Sequence, residues 1–260
     1  MTAKSVENIL HWIHNSLDKK DCKKWLFRGQ SHDWPLKAGI FRDNTRRKPN
    51  GTNKPYTRTE DLQDEKRMLE IFKKRSRPYL NYEPKNDLEW LAIAQHHGMP
   101  TRLLDWTSNA LIAAYNACEH MGSPMDDRSQ TREFNGDTYV RLNMREPVIH
   151  AIQAPKEAPE GLNPFAISDK KIRLYIPPVI SPRIAAQGAF FTIQNEEFDF
   201  KENNTTEKLF IQPRDEGFWA ESRIKDELTY MGIDNHALYP DIDGLTKSLH
   251  WKYKWGKPIY

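Results

Sequence analysis

The sequence has few of the features that mark secreted or metal-binding proteins. It contains only two cysteines in 260 residues, Cys22 and Cys118. Neither has another cysteine or a histidine at the spacing of a zinc ligand set. The two thiols also stand far apart in the chain, so the pattern indicates no disulfide framework. We therefore expect two ordinary reduced thiols and no metal cofactor.

Long hydrophobic runs and a large excess of one charge are missing too. No stretch approaches the ~20 apolar residues of a membrane span, and residues 1–17 lack the charged-then-apolar order of a secretory signal. The balance of 39 Lys+Arg against 36 Asp+Glu leaves a net charge of +3. By itself that charge does not indicate a nucleic-acid partner. We expect a cytoplasmic protein with no membrane partner.

Several common nucleotide-binding and hydrolase motifs are absent. No Gly-x-Gly-x-x-Gly follows a strand, and the chain has no Gly-x-x-x-x-Gly-Lys-[Ser/Thr], Gly-x-Ser-x-Gly or His-Glu-x-x-His. These absences argue against Rossmann, P-loop and common hydrolase architectures. The 38% of hydrophobic residues nevertheless suffice for a real core.

The apolar periodicity predicts an α/β (α+β) protein. The predicted helices are an N-terminal one within residues 1–19, one that starts near Thr57 and ends before Pro78, and Asp87–His97, Asn109–His120 and Ala220–Met231. The predicted strands are Trp25–Phe27, Thr101–Trp106, Pro147–Gln153, Arg173–Ile176, Ala189–Gln194 and Phe210–Gln212. Residues 125–137 are polar and predict a surface loop. No linker divides the chain, so we expect one domain over residues 1–260 with an N-terminal helical layer.

A basic residue ends the first predicted strand. The segment Trp25-Leu-Phe-Arg-Gly-Gln-Ser-His-Asp-Trp34 places Arg28 and Gly29 directly after an apolar run. Burying a guanidinium costs free energy unless an anion meets it, and glycine lets a ligand approach the backbone closely. Arg28 is therefore a candidate for binding a diphosphate. The alternative is a structural arginine that pairs with a carboxylate such as Asp105.

A second cluster of polar residues surrounds the next strand. His96 and His97 are adjacent on a helix and point about 100° apart, an arrangement that rarely lets two histidines share a metal ion. A histidine here either contacts a ribose or base, or caps the helix end. Asp105, Thr107 and Ser108 fall where a strand ends and a helix begins. Hydroxyl groups there cap the helix, line a ligand site at the sheet edge, or do both.

Three further segments each allow two interpretations. Gln187 stands before a glycine and an apolar strand, as a turn residue or a site residue. Between Arg42 and Arg58 the chain has six basic residues and one acid, which suits either a solvated loop or a loop that follows a phosphate backbone. The nucleic-acid-binding candidates in it are Arg46, Arg47, Lys48, Lys54 and Arg58. The tail, residues 251–260, interleaves aromatics with lysines, as in base stacking or in a half-buried terminal element.

Together these motifs resemble the FRG domain family, named for its Phe-Arg-Gly motif, here Phe27-Arg28-Gly29. The similarity continues through Ala94-Gln-His-His-Gly-Met-Pro-Thr-Arg-Leu-Leu-Asp-Trp-Thr-Ser-Asn-Ala110, Arg183-Ile-Ala-Ala-Gln-Gly-Ala-Phe190 and Leu238-Tyr-Pro-Asp-Ile-Asp-Gly244. It covers roughly residues 20–250. The second motif is long and specific.

The motif order is similar to that of ADP-ribosyltransferases, which implies a central mixed sheet and NAD as a substrate bound at its edge. The resemblance assigns catalysis to Arg28, Asp105, Thr107 and Gln187. It assigns cofactor binding to Arg28, Gly29, His97, Arg102, Ser108 and Arg183. Arg28 would hold the diphosphate, and His97 and Thr107 would lie near the ribose. Gln187 departs from the transferase pattern, because an amide can hydrogen-bond the ribose but cannot replace a catalytic carboxylate as a base.

The function that the resemblance implies is a bacterial toxin or phage-defence effector held in check by an antitoxin protein. It would transfer ADP-ribose from NAD to RNA or DNA. Asp105 would supply the missing carboxylate, or the acceptor would need only positioning. Two other classes stay open, a module that binds a nucleotide or nucleic acid without chemistry, and a nuclease. The acids available to a nuclease have the spacing of a solvated helix face: Glu65, Glu70, Asp87 and Glu89.

Overall fold

The computed structural model describes residues 1–17, 24–42, 58–119, 130–134, 137–141, 147–179, 181–195, 198–200, 206–212 and 220–259. Its strands are β1 (Thr2–Ala3), β2 (Trp25–Gln30), β3 (Leu103–Thr107), β4 (Gln130–Phe134), β5 (Asp137–Arg141), β6 (Val148–Gln153), β7 (Arg173–Tyr175), β8 (Ala189–Ile193) and β9 (Thr206–Ile211). Its α-helices are α1 (Val6–Trp12), α2 (Arg58–Ser76), α3 (Asp87–His96), α4 (Ala110–Ala117), α5 (Pro182–Ala186), α6 (Ala220–Tyr230), α7 (Asn235–Leu238) and α8 (Ile242–Lys254).

Seven of these strands form one mixed sheet in the order β1-β9-β6-β2-β3-β8-β7. The β1–β9 pair is parallel and the other pairs are antiparallel. The join between β2 and β3 is narrow, because it consists of the single pair Phe27–Thr107. By contrast, β2 pairs with β6 over six residues and β3 pairs with β8 over five. The sheet is therefore two half-sheets that part from each other just beyond Phe27.

Separate groups of helices cover the two half-sheets. Helices α1, α4 and α6 pack on β2, β6 and β9 through an apolar cluster that includes Trp12, Phe27, Ala113, Ile149 and Ile224. Helices α2 and α3 pack on β3 and β8 through a second cluster that includes Leu69, Leu91, Leu103, Phe191 and Ile193. A third cluster around Leu26 and Trp106 joins both half-sheets. The gap between β2 and β3 lies where these packed regions meet, which leaves room for a cleft.

Gly29 allows α4 to lie directly against β2. A Cβ atom on Gly29 would stand 1.8 Å from the carbonyl oxygen of Ala113 and 2.7 Å from the amide nitrogen of Ala117. Real Cβ atoms never approach backbone so closely, so any side chain would push the helix away from the strand. The close packing of α4 on β2 therefore requires a glycine at this position of the Phe-Arg-Gly motif.

The α/β class with a mixed sheet is confirmed, and most predicted elements lie within a few residues of the observed ones. One prediction was wrong: a surface loop was expected over residues 125–137, but residues 130–134 pair with residues 137–141 as the hairpin β4–β5. Helix α5 (Pro182–Ala186) was not predicted, and at its start Ser181 accepts a hydrogen bond from the Ile184 amide. Within the described ranges, none of the helices has the length and apolar character needed to cross a membrane.

Candidate functional site

A cleft of about 150 Å³ opens where β2 and β3 part. Strands β2, β3 and β8 contribute to it together with α3, α4 and α5. Its lining includes several of the sequence candidates: Arg28, Gly29, Asp105, Thr107, Arg183 and Gln187. These residues come from positions as distant as 28 and 187, and the split sheet brings them to one place.

Arg28 spans the gap between the two half-sheets. Its Nη1 donates to the backbone carbonyl of Asp105 at 3.0 Å and to Oδ2 of the same residue at 2.5 Å. The carbonyl lies beyond the last β2–β3 pair, so the guanidinium gives this acceptor the partner that the neighbouring strand does not provide. The Arg28 side chain is 12% exposed, whereas that of Asp105 is 57% exposed. The ion pair therefore presents its carboxylate to solvent.

The second oxygen of the Asp105 carboxylate is also bonded. Gln95 Nε2 donates to Asp105 Oδ1 at 2.8 Å, and Thr101 Oγ1 donates in turn to the Gln95 amide oxygen. Partial desolvation raises the pKa of Asp105, but Arg28, hydrogen bonds and the nearby Arg42 together hold that pKa below its ordinary value. Asp105 is consequently a carboxylate fixed at both oxygens that stays ionised at neutral pH.

Two further guanidinium groups stand near this carboxylate or line the cleft. Burial and the charge of Arg28 lower the pKa of Arg42, and Asp105 opposes that effect, which places Arg42 in the same electrostatic neighbourhood. Arg183 donates to the backbone carbonyl of His96 at 3.3 Å, and its guanidinium carbon lies 4.3 Å from the ring centroid of Tyr239. Three arginines with one carboxylate make the site suitable for an anion.

His96 rather than His97 lines the cleft. Burial, followed by the charges of Arg183 and His97, lowers the pKa of His96 to about 4, with Asp241 opposing the shift. His96 is therefore neutral at pH 7 and can accept or donate a hydrogen bond without carrying charge. His97 stands at the exposed end of α3.

A hydrogen bond joins Thr107 and Gln187, two residues that line the cleft. Thr107 Oγ1 donates to the Gln187 backbone carbonyl at 2.7 Å and accepts from the Asn109 amide at 3.1 Å. The Gln187 side-chain Nε2 donates to the Leu238 carbonyl at 3.2 Å. These bonds attach α5 to the end of β3 and to α7. The Thr107 hydroxyl thus holds the turn that precedes α4, whose N-cap is Asn109, at a position that also lines the cleft.

Ser108 and Arg102 lie outside the cleft. The Ser108 amide donates to the Gly188 carbonyl at 3.2 Å, and the Ser108 side chain is exposed beside the lining. Arg102 is buried, donating to both carboxylate oxygens of Glu65 and, at 2.6 Å, to the Pro164 carbonyl. Arg102 was expected among the cofactor-binding residues but does not line the cleft, because alternation along the chain turns it toward α2 and away from Asp105.

Four of the five predicted nucleic-acid-binding residues lie in a part of the chain that the structure does not describe. They are Arg46, Arg47, Lys48 and Lys54, whereas Arg58 is described only as the first residue of α2.

The structure also adds lining residues that the sequence did not single out, notably Gln95, His96, Ile112 and Asn116. Gln95 belongs to the motif of residues 94–110 and directly precedes the two histidines. Its bond to Asp105 depends on how α3 packs on β3, which no local pattern reveals.

The described ranges contain no group of three or more His, Cys, Asp and Glu side chains placed to hold a metal ion. The cleft instead offers hydrogen-bond donors, one ionised carboxylate and an apolar floor of Phe27 and Ile112. Such a mixture suits a ligand that has an anionic group and a planar apolar part.

Comparison with protein-family models matches residues 23–125 with the FRG domain. The matched range includes Arg28, Gly29, Gln95 and Asp105 and ends before Arg183. No curated protein and no solved structure matches the chain.

Proposed function

Because this chain carries an FRG domain at residues 23–125, we propose that its cleft binds NAD and transfers ADP-ribose to RNA or DNA. The proposal includes its use as a bacterial toxin or phage-defence effector, with an antitoxin protein as partner. The observation that carries it is the arrangement around Asp105. An ionised carboxylate stands between arginines at the mouth of a cleft with an apolar floor.

The diphosphate of NAD would lie on the arginines. The described hydrogen bonds of Arg28 use Nε and Nη1, so its Nη2 donors are the ones directed to a phosphate. Arg42 and Arg183 add positive charge to the site. Planar guanidinium groups bind phosphate oxygens in pairs, and three of them supply more donors and charge than a single carboxylate ligand can use.

The size of the cleft limits how NAD enters. Its volume of about 150 Å³ is below the ~300–1,000 Å³ of pockets that enclose a whole drug-sized ligand. The nicotinamide end would therefore lie in the cleft against Phe27 and Ile112, and the adenosine end would lie along the surface. This orientation places the bond to nicotinamide near the Asp105 carboxylate.

The proposed reaction breaks the glycosidic bond between the ribose C1′ and the nicotinamide nitrogen. The bonding electrons leave with nicotinamide, which becomes neutral, and the ribose becomes an oxocarbenium ion. The negative charge of Asp105 stabilises that cation. A nucleophile of the acceptor then bonds to C1′ and its proton passes to solvent, since the lowered pKa of Asp105 makes it a weak base.

A nucleic-acid acceptor is supported by the sequence that follows Arg42. This residue lies in the electrostatic neighbourhood of Arg28 and Asp105, and the chain continues from it into Arg46, Arg47 and Lys48. Closely spaced basic residues bind a phosphate backbone with little regard to sequence. A strand whose phosphates reach Arg42 would be near the reacting ribose.

Incubation with NAD labelled in the adenosine half, together with RNA or with DNA, tests the proposal. We expect label on the nucleic acid and an equal amount of free nicotinamide from the wild-type protein. Arg28→Ala should abolish both signals. Arg173→Ala, which removes a partly buried arginine that is paired with Asp169 outside the cleft, is the matched control and should keep them.

Non-catalytic binding is the alternative, and the Gln187 contacts favour it. Gln187 is an amide where the transferase pattern has a carboxylate, and its Nε2 and backbone carbonyl are both engaged within the fold. If no acceptor leads to nicotinamide release and Arg28→Ala weakens only nucleotide or nucleic-acid binding, the transferase proposal fails. Shortened nucleic acid without label would instead identify a nuclease.

A further inference from the structure

An exposed tryptophan follows the end of β2. Trp34 is 55% exposed, although tryptophan is usually largely buried. Its ring stacks on the imidazole of His32, with centroids 4.6 Å apart and planes inclined by 25°. One aromatic surface is therefore backed by a second ring, and much of the indole still faces solvent.

The backbone that carries Trp34 is held in place by several bonds. The Trp34 amide donates to the His32 carbonyl at 2.8 Å, and Gln30 Nε2 donates to the Trp34 carbonyl at 2.9 Å. Lys208 Nζ donates to both carboxylate oxygens of Asp33, at 2.6 and 2.7 Å. A fixed aromatic ring can stack on a planar ligand without a large loss of conformational entropy.

This tryptophan is connected to the arginines of the cleft. Arg28 Nε donates to Gln30 Oε1 at 3.3 Å, and the same amide holds the Trp34 carbonyl. The Trp34 backbone and the Arg28 guanidinium are thus bonded to the same glutamine side chain. Lys208 neutralises the adjacent Asp33, so that carboxylate does not repel a nearby phosphate.

We propose that Trp34, backed by His32, is a stacking platform for a nucleobase whose phosphate lies against Arg28 and Arg42. Aromatic side chains beside cationic groups bind nucleobases because every base offers a π face and every nucleotide carries phosphate. The base belongs either to a nucleic-acid strand or to the adenosine of NAD. The inference rests on the proposed function for the use of the cleft, but its test measures binding alone.

Titrations with Trp34→Ala, Trp34→Phe and Tyr79→Ala test the platform. The probes are NAD, a fluorescent single-stranded oligonucleotide, and an oligonucleotide of equal length without bases. Loss of one base stack should weaken binding roughly tenfold, within the ~1–3 kcal/mol range of base–aromatic stacking. Trp34→Phe should keep most of the affinity. Tyr79 is 85% exposed on a turn after α2 and serves as the matched control.

The probes distinguish the two sources of the base. Weaker binding of the ordinary oligonucleotide, with the baseless one unaffected, assigns the platform to a strand. Weaker binding of NAD alone assigns it to adenosine. The inference is overturned if Trp34→Ala behaves like Tyr79→Ala, if it weakens the baseless strand equally, or if wild-type protein binds none of the probes.

Nicotinamide release, measured separately on the same preparations, distinguishes the stacking-platform proposal from the transferase proposal. Release that is intact in wild type, with unchanged probe affinities in Trp34→Ala, rejects the platform and keeps the transferase. Base-dependent loss of binding in Trp34→Ala without any release in wild type keeps the platform and rejects the transferase.

Discussion

Arg28 Nη1 contacts both the backbone carbonyl and the carboxylate of Asp105, at 3.0 and 2.5 Å, across the line where β2 and β3 stop pairing. The arginine of the Phe-Arg-Gly motif therefore joins the two half-sheets and occupies the mouth of the cleft at once. The pairing with Asp105 that the sequence offered as the structural alternative is observed, and it holds the guanidinium in the cleft where we propose that a phosphate binds. A ligand phosphate must share the guanidinium with Asp105.

Replacing Asp105 by asparagine should separate binding from catalysis. Asp105→Asn keeps the shape of the side chain but removes the charge that the proposed reaction uses to stabilise the ribose cation. We expect nicotinamide release to fall by about 10²–10³. The affinity for NAD should be unchanged or higher, because a charge that repels the diphosphate is gone. Rates and a direct binding titration measure the two effects.

Asp169→Asn, in a surface pair with Arg173, is the control for that experiment. It should change neither quantity. Parallel losses of rate and affinity in Asp105→Asn would show that Asp105 only shapes the cleft.

Substituting Gly29 should destabilise the fold through a backbone collision. The new Cβ of Gly29→Ala would stand 1.8 Å from the Ala113 carbonyl oxygen, so α4 must move. We expect a loss of at least about 3 kcal/mol in the free energy of unfolding, measured by urea titration. Gly39→Ala, whose Cβ would meet its nearest neighbour at 3.4 Å, should lose less than about 1 kcal/mol. Similar losses in both variants would contradict this packing role.

Arg102 should matter for stability and not for ligand binding. Its side chain is 6% exposed and that of Glu65 is 2% exposed, so Arg102→Ala leaves a buried carboxylate without its partner. We expect a loss of about 3–5 kcal/mol in the free energy of unfolding, and the double replacement Arg102→Met with Glu65→Leu should recover most of it. The folded fraction should bind NAD normally. Weaker NAD binding by the double variant would return Arg102 to the ligand site.

His150 should make the protein less stable in mild acid. It is 1% exposed on β6, opposite Arg28 in the register. Burial, then the charge of Lys208, lowers its pKa to about 3, with Arg28 adding to the shift and Asp33 opposing it. Between pH 6.5 and 3 the unfolded chain therefore binds a proton at this position and the folded chain does not. The free energy of unfolding therefore decreases as the pH is lowered through that window. For this residue the decrease is about 2 kcal/mol at pH 5.

Urea titrations of wild type and His150→Gln at pH 7.5 and pH 5.0 measure that effect. The wild type should lose more stability than the variant on acidification. His96, whose pKa is also lowered, contributes to both proteins, so the difference between them isolates His150. An equal loss in both would show that His150 does not carry the acid sensitivity.

The local elements were largely predictable because their signals lie within a few residues. Asn86 and Asn109 cap α3 and α4 with side-chain bonds, and apolar spacing identified both helices. The hairpin β4–β5 was missed because its strands are polar and lack the alternation that marks a half-buried strand. Helix α5 was missed because its five residues are too short to show a period.

The candidate site was predictable by residue type and only partly by position. Arg28, Asp105, Thr107, Arg183 and Gln187 line one cleft, as the motifs suggested. His97 and Arg102 do not, because neighbouring residues on a helix or strand point in different directions. His96 and His97 are adjacent in the chain, and their different directions on the helix decide which imidazole lines the cleft.

The sequence by itself determined the class of fold, the match of residues 23–125 with the FRG domain and the type of group that lines the cleft, since each depends on local pattern. Only the tertiary structure decided that β2 and β3 pair at one position and then separate. That separation depends on helices α4 and α3 packing on different half-sheets, which is a relation between residues far apart in the chain. It is also what turns Arg28 from the end of a strand into the bridge across a cleft.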